Sequence, residues 1–372
     1  MPAPRRLLLS LLPLLASCSA FTTMTSPVGG FAEQRPLPVL GTNLFDWKGM
    51  VHCHSYLSHD SKGTFEEIQA ACERARTDFV VMTDHQTDAS VAEGRRGMLG
   101  NTLFLVGCEL RTPQGTVIAF PLTRPLRRWM HCAAMVQEAA RQGAILLVCH
   151  AEMWEDWNVP GLVGAEIVNL HAGAMTANPA YVLGSGLLLP SRFLMENIAI
   201  RDPKVFAAWD EQLQLRHPFA PVGGGDAHAS IKVLGPLGGT IADYPEVFLT
   251  ISTHVLARTL DEASIVEAVK LGRTYVSFDV FHEGTGFDFR ATQGALVHLP
   301  GATVAAAPEL TLSVRTPTMG RIELLRDGVV VQQSLDDTLE LRAPSEGVYR
   351  VVVYTALGSP WLFSSSIKVT AE

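Results

Sequence analysis

Nine side chains able to bind a metal recur along the chain in a set order: His52, His54, Asp60, His85, Glu109, His150, His171, Asp226 and His228. Most stand at or just past the end of a short apolar run, where the strands of a barrel would deliver them to one shared mouth. Mixed imidazole and carboxylate donors suit zinc, manganese or iron(II) without choosing between them. Two or three such ions set side by side lower the pKa of a water and clamp the oxygens of a scissile group, so the pattern points to hydrolysis with no protein nucleophile.

The pair His52-x-His54 on an extended strand end places both imidazoles on one face. It gains weight from Ser58-His59-Asp60, Thr83-Asp84-His85, Gly107-Cys108-Glu109, Cys149-His150, Leu170-His171 and Gly225-Asp226-Ala227-His228, because six separate strand ends then contribute donors. Two further residues are candidates for catalytic roles. Asp84 either orients a ligand or caps the following turn. Arg201, in Ala199-Ile200-Arg201-Asp202, either meets a substrate phosphate or pairs with Asp202 or another acid. Cys53, Cys108 and Cys149 each adjoin a proposed ligand, so strand alternation turns them to the opposite face as packing thiols.

In the stretches VHCHSYLSHDSKG, VVMTDH, VGCE, VCH, NLH and GGGDAH the chain resembles the polymerase and histidinol phosphatase (PHP) superfamily of metal-dependent phosphoesterases. The resemblance implies a distorted seven-stranded (β/α) barrel with up to three metals at the C-terminal strand ends. It also implies how the ligands divide. His52 and His54 with Glu109 and Asp226 would hold one ion, Glu109 would bridge to a second completed by His150 and His171, and Asp60, His85 and His228 would hold a third. A hydroxide shared between ions would attack phosphorus. Two departures from the family pattern concern context: Val51 precedes the first His, and the His150 loop reads Cys-His-Ala-Glu rather than ending in His-Pro.

The elements that must position these residues alternate between short apolar runs and amphipathic segments, which predicts an α/β domain over residues 45–285. Expected strands are Gly49 to Cys53, Phe79 to Thr83, Leu103 to Cys108, Thr116 to Phe120, Ala144 to Cys149, Glu166 to Asn169 and Val222 to Gly225. Thr64 followed by Glu67 forms a capping box before Ile68, Ala71, Cys72 and Ala75. Further helices are expected over Trp129 to Gln142, Pro203 to Arg216 and Asp261 to Leu271. Over residues 286–372 helical periodicity gives way to strand patterns at Leu310 to Val314, Arg321 to Leu325, Thr338 to Leu341 and Tyr349 to Tyr354. Asp327-Gly328 is a hairpin signal between two of them, and a small antiparallel immunoglobulin-like sandwich is expected.

The charge balance, net −8 with no long Lys/Arg block, gives no electrostatic footprint for nucleic acid. A small-molecule substrate is expected, with protein partners unspecified. Residues 1–17 read as an export signal, Arg5 and Arg6 before an apolar run too short to span a bilayer. The run ends in Leu15-Ala16-Ser17-Cys18, which resembles a bacterial lipobox and implies a lipid-anchored exported protein with residues 18–44 as tether. Five cysteines besides Cys18, at no repeated spacing, argue against a disulfide framework.

The leading functional expectation is a phosphoesterase acting on small organic phosphate mono- or diesters. A second is a carbamate, amide or carboxyl-ester hydrolase, because Leu271-Gly272-Arg273-Thr274-Tyr275-Val276-Ser277 resembles a motif of a superfamily branch with carbamate hydrolases. A third is a non-catalytic metal- or carbohydrate-binding surface lipoprotein. Cys18→Ser is expected to move the protein from the membrane to the soluble fraction; unchanged fractionation would rule the lipobox out.

Overall fold

The computed structural model describes residues 24–177, 191–228 and 243–371. The export signal with Cys18 lies outside them. The fold is mixed α/β, built around a large continuous sheet. The strands that matter for the site are β1 (Phe45–Cys53), β2 (Phe79–Met82), β3 (Thr102–Val106), β4 (Cys108–Arg111), β5 (Thr116–Phe120), β6 (Ile145–Cys149), β7 (Gly164–Asn169) and β8 (Ala220–Ala227).

Their pairings run in a closed circuit. β1 lies parallel to β2 and to β8, β2 parallel to β3, and β6 parallel to β7, which is parallel to β8. β3 continues through Gly107 into β4, and β5 is antiparallel to both β4 and β6. The expected single strand Leu103 to Cys108 is therefore broken at Gly107. A Cβ there would lie 2.7 Å from the Met82 carbonyl oxygen and 2.8 Å from that of Ala119, so only glycine lets the kink pass between its neighbours.

Alternation gives each strand two buried faces. Val51, Val81, Leu105, Ile118, Leu147 and Val222 pack together on one. Met50, Val80, Phe104, Val117, Leu146 and Ile167 pack on the other, in the cluster that takes in Ile68, Met135 and Phe206 of the helices. Helix Phe65–Ala75 starts at Thr64 in the expected capping box, and Arg76 ends it in the left-handed region. Asp202 caps Pro203–Leu215 and Asp261 caps Glu262–Lys270, each accepting a backbone N–H from the first turn. The helix expected from Trp129 begins instead at Cys132, because Trp129 is itself left-handed at φ 61° and cannot open a helix.

Strand β9 (Ser252–Ala257) runs antiparallel to the first half of β1, and β10 (Thr274–Ser277) antiparallel to β9. The ladder extends into the C-terminal region through β14 (Pro360–Ser364), which pairs with β10 and with β13 (Gly347–Tyr354). β11 (Thr311–Arg326) is one long strand where two were expected, and it pairs with both β13 and β12 (Val329–Arg342). Between β11 and β12, Asp327 and Gly328 have φ of 53° and 79°, the doubly positive turn that Asp-Gly favours. Leu312, Leu324, Leu339, Val351 and Trp361 form a separate apolar cluster there.

Arg350 fastens this region to helix Pro203–Leu215. Its side chain is 1% exposed, and its Nε and Nη2 donate to the two carboxylate oxygens of Asp210 at 2.5 and 2.6 Å. Asp210→Ala strands the guanidinium in the interior and is expected to cost about 3 kcal/mol. The check is thermal unfolding, in which an unchanged melting temperature would show that the pair holds nothing.

Candidate metal centre

Three left-handed residues mark the site. His52, His150 and Asp226 have φ of 70°, 48° and 47°, a conformation that non-glycine residues adopt only under constraint. In β1 and β8 the register of pairing shifts at these points, between Val51 and Cys53 and between Gly224 and Ala227. The bulge turns His52 out of strict alternation. His52 and His54 do share a face, with ring centroids 5.1 Å apart, but a left-handed bulge achieves this rather than the plain extended strand expected.

Around them the donors converge in three overlapping groups whose ligand atoms lie within 4.8 Å of one another: His52, His54, Glu109 and Asp226; His54, Asp60, His85 and His228; and His52, Glu109, Cys149 and His150. Glu109 is central. Its Oε2 lies 3.2 Å from His52 Nε2, 3.4 Å from His54 Nε2 and 3.6 Å from His85 Nδ1, while its Oε1 lies 3.4 Å from His150 Nε2. Asp226 Oδ1 sits 3.2 Å from His52 Nε2 and 3.4 Å from His54 Nε2. Asp60 Oδ2 is 3.0 Å from His85 Nε2 and 3.6 Å from His228 Nε2.

The donors fit a divalent cation. His54 Nε2 is buried without a hydrogen-bond partner while facing two carboxylates, and a shared cation satisfies such an atom without a proton. The opposite edges of the rings are already engaged. Glu166, a residue that the motif reading missed, accepts from His52 Nδ1 at 2.7 Å, and its second oxygen accepts the His150 backbone N–H at 2.9 Å and Asn169 Nδ2 at 2.9 Å. That bond fixes the His52 tautomer with Nε2 facing the carboxylates. Gly224 makes room for it, since a Cβ there would fall 1.5 Å from Glu166 Oε1. His54 Nδ1 meets Ser58 Oγ at 3.2 Å, and the same hydroxyl accepts the His85 backbone N–H.

Eight of the nine expected ligands come together. His171 does not join any of the three groups. Asn169 ends β7 and caps helix Leu170–Thr176 through its side chain, which leaves His171 exposed in the first turn, its ring centroid 6.5 Å from that of His150. Cys149, expected to face away as a packing thiol, does pack with Ile118 and Leu147 but also falls within one of the three groups. His150 beside it is left-handed, and Cys149 Sγ is 3.6 Å from His52 Nδ1, the ring edge that Glu166 also meets.

Neither side chain considered for catalysis reaches the donors freely. Asp84 accepts the Ser55 backbone N–H at 2.6 Å and the Ser55 hydroxyl at 2.9 Å, so it holds the loop after β1. The Arg201 guanidinium packs 4.3 Å from the Phe206 ring centroid, in a cavity of about 410 Å³ with Glu196, Phe281, Tyr354 and Pro360, among which is none of the nine. Its neighbour Asp202 is occupied as a helix cap.

Burial opposes every charge here, yet at Glu109, Asp226, His52 and His150 the pairings outweigh it. Burial would raise the carboxyls of Glu109 and Asp226, but the imidazoles hold both far below the usual range. Burial would lower the imidazoles, but Asp226 and Glu166 hold His52 well above its ordinary value, and bonds with Glu109 and Glu152 lift His150 to about 10. His85 and His228 go the other way, lowered chiefly by burial.

Among known proteins, no family model matches the sequence, and no curated protein does. The chain is similar to one two-domain solved structure over most of its length. That protein, from Bacteroides vulgatus ATCC 8482, is described as containing a predicted PHP-like metal-dependent phosphoesterase; 90% of this chain and 100% of that one are covered, at 14% identity and a TM-score of 0.43. CopC from Methylosinus trichosporium OB3b is similar over 19% of this chain and 84% of its own, at 21% identity and a TM-score of 0.15.

His150, lifted to about 10, carries a proton at pH 7 that a cation must displace, and the neighbouring carboxylates shift His52 in the same direction. Metal uptake at pH 7 is expected to release protons, and affinity to fall as pH falls. Calorimetry in buffers of different ionisation enthalpy reads the release; uptake without it would remove His52 and His150 from the centre. Glu166→Gln is expected to weaken metal binding by about 10- to 100-fold.

Proposed function

We propose that this protein is a metal-dependent hydrolase, and that it acts as a phosphoesterase on small organic phosphate mono- or diesters. The observation that carries the reading is the fusion of three donor groups through Glu109, His52 and His54, which sets room for adjacent cations at one strand-end mouth. Adjacent divalent cations, when bound, supply Lewis acidity that activates water and neutralises charge building on the scissile group. The chain's own residues do the rest. Glu109 presents one oxygen to His52, His54 and His85 and the other to His150, so it is placed to bridge two ions. Glu166 and Ser58 fix the rings from behind, and Asp84 pins the loop that carries Ser58.

The closed circuit of strand pairings supports reading residues 45–285 as a distorted seven-stranded barrel, and an apolar cluster drawn mostly from residues 286–372, joined by Leu44, Leu256 and Tyr275, supports reading the C-terminal region as a sandwich that packs without catalysing. The proposed setting is outside the cytoplasm, tethered by lipid at Cys18. Among the described residues no helix is long and apolar enough to cross a membrane.

The test is metal stoichiometry on the purified protein, with hydrolysis of aryl phosphate monoester, phosphodiester, carbamate and carboxyl-ester probes under the metal found. Two or three ions per chain with phosphoester turnover is the expected outcome. Turnover confined to carbamate or carboxyl esters would move the reading to carbonyl chemistry; no tightly held ion and no turnover would overturn it. Glu109→Gln is expected to lose more than one equivalent of metal and at least about 10³-fold in kcat, because one carboxylate serves two groups.

A further inference from the structure

Beside the metal centre opens a groove of about 970 Å³, lined by His59, His85, Gln86, Asp88, Arg127 and Arg128, with Thr87, Pro125 and Leu126 completing its wall. Two of these, His59 and His85, belong to the loops that carry the Asp60–His85–His228 donors. Two are arginines. Among the described residues, neither Arg127 nor Arg128 forms an ion pair with a carboxylate, although other arginines of this chain do so, among them Arg35, Arg96, Arg141 and Arg290. Asp88 is the one carboxylate on the groove wall. The groove is therefore locally cationic in a chain whose net charge is −8 and whose overall field repels anions.

The strap that bears the arginines is held rather than loose. Gln142 accepts the backbone N–H groups of Thr123 and Arg124 at 2.8 and 2.9 Å and donates to the Arg124 carbonyl. The Leu126 carbonyl accepts from Thr87 Oγ1 at 3.1 Å, and the Trp129 N–H donates to the Arg111 carbonyl at 2.9 Å. Trp129 is left-handed at φ 61° and 65% exposed, so the strap keeps a strained turn with an aromatic ring facing solvent. Arg128 Nη2 donates to the His85 carbonyl at 2.7 Å, which ties the strap to the donor loop. The strap backbone and the Arg128 guanidinium are held in place, so that part of the groove loses little order on meeting an anion.

We infer that this groove is a specificity subsite for a second anionic group of the substrate, a carboxylate or further phosphate carried by the part of the molecule that is not hydrolysed. The inference rests on the phosphoesterase reading above and narrows its substrates to phosphate esters with two anionic groups. Arg127, which makes no bond to a donor loop among the described residues, is the principal recognition group, and Arg128 shapes the groove while holding His85.

The experiment uses the metal-loaded full chain with two substrates, 4-nitrophenyl phosphate and an aryl phosphate bearing a ring carboxylate. The wild type is expected to prefer the carboxylated ester in kcat/KM, through KM. Arg127→Glu is expected to reduce that preference at least tenfold, and Arg127→Lys, which keeps the charge, to restore most of it. An equal loss for both esters, or no change in preference, would overturn the subsite. If neither ester is hydrolysed by the wild type, the phosphoesterase reading fails by itself. The subsite is then judged by calorimetric binding of the carboxylated aryl phosphonate: weaker binding to Arg127→Glu than to wild type supports it, and equal binding overturns it.

Discussion

The carboxylate of Glu109 is the constraint on which the rest of this site depends. Four imidazoles approach it within 3.2 to 3.6 Å, from β1, from the loop after β2 and from the end of β6. Its place follows from Gly107, where the chain leaves β3 and enters β4 through a gap between two carbonyl oxygens that admits no Cβ. The Glu109 N–H then donates to the Thr83 carbonyl, which ties the kinked strand to the one that delivers Asp84 and His85. Without that kink the strand would keep its alternation, and a buried anion would have no cations around it.

The strand ends are held from several sides. The His54 carbonyl accepts from Tyr244 Oη at 2.6 Å and from Ser61 Oγ at 3.1 Å, and its N–H donates to the Ala227 carbonyl. At the other end of β1 lies a second buried polar cluster. Asp46 accepts from His254 Nδ1 and Tyr275 Oη at 2.7 and 2.6 Å, and the fully buried Lys48 ammonium pairs with Asp279 at 2.8 Å. Buried pairs of this kind add little net stability, yet breaking one is costly. β1 is thus fixed by polar contacts at both ends. Left-handed His52, His150 and Asp226 can persist only in such surroundings, since each is strained by itself.

Much was legible because it depends on local chemistry. The capping box at Thr64, the helix that opens at Pro203 and the Asp327-Gly328 turn each need only a few adjacent residues, and each appears where the sequence placed it. Eight of the nine proposed ligands converge, because strand ends that alternate with helices deliver their side chains to one side. Glu166 was not legible as a ligand neighbour, though a carboxylate inside the apolar run from Gly164 to Val168 was a signal that something must pair with it. Arg127 and Arg128 were not legible as neighbours of the site, because nothing in sequence distance connects residues 127 and 128 with His59.

The sequence by itself determined the order of elements, the identity of nearly all the donors and the polarity of the site, since periodicity, caps and residue type are carried by neighbouring positions. Tertiary structure alone decided which donors share a group, that Cys149 joins where His171 does not, and that Arg201 packs on Phe206 away from the mouth. Those outcomes turn on left-handed backbone at His52, His150 and Asp226 and on the absence of a side chain at Gly107 and Gly224. A bulge reverses the direction of a side chain, and it is held by contacts between segments far apart in the chain, so no local rule could have reported it.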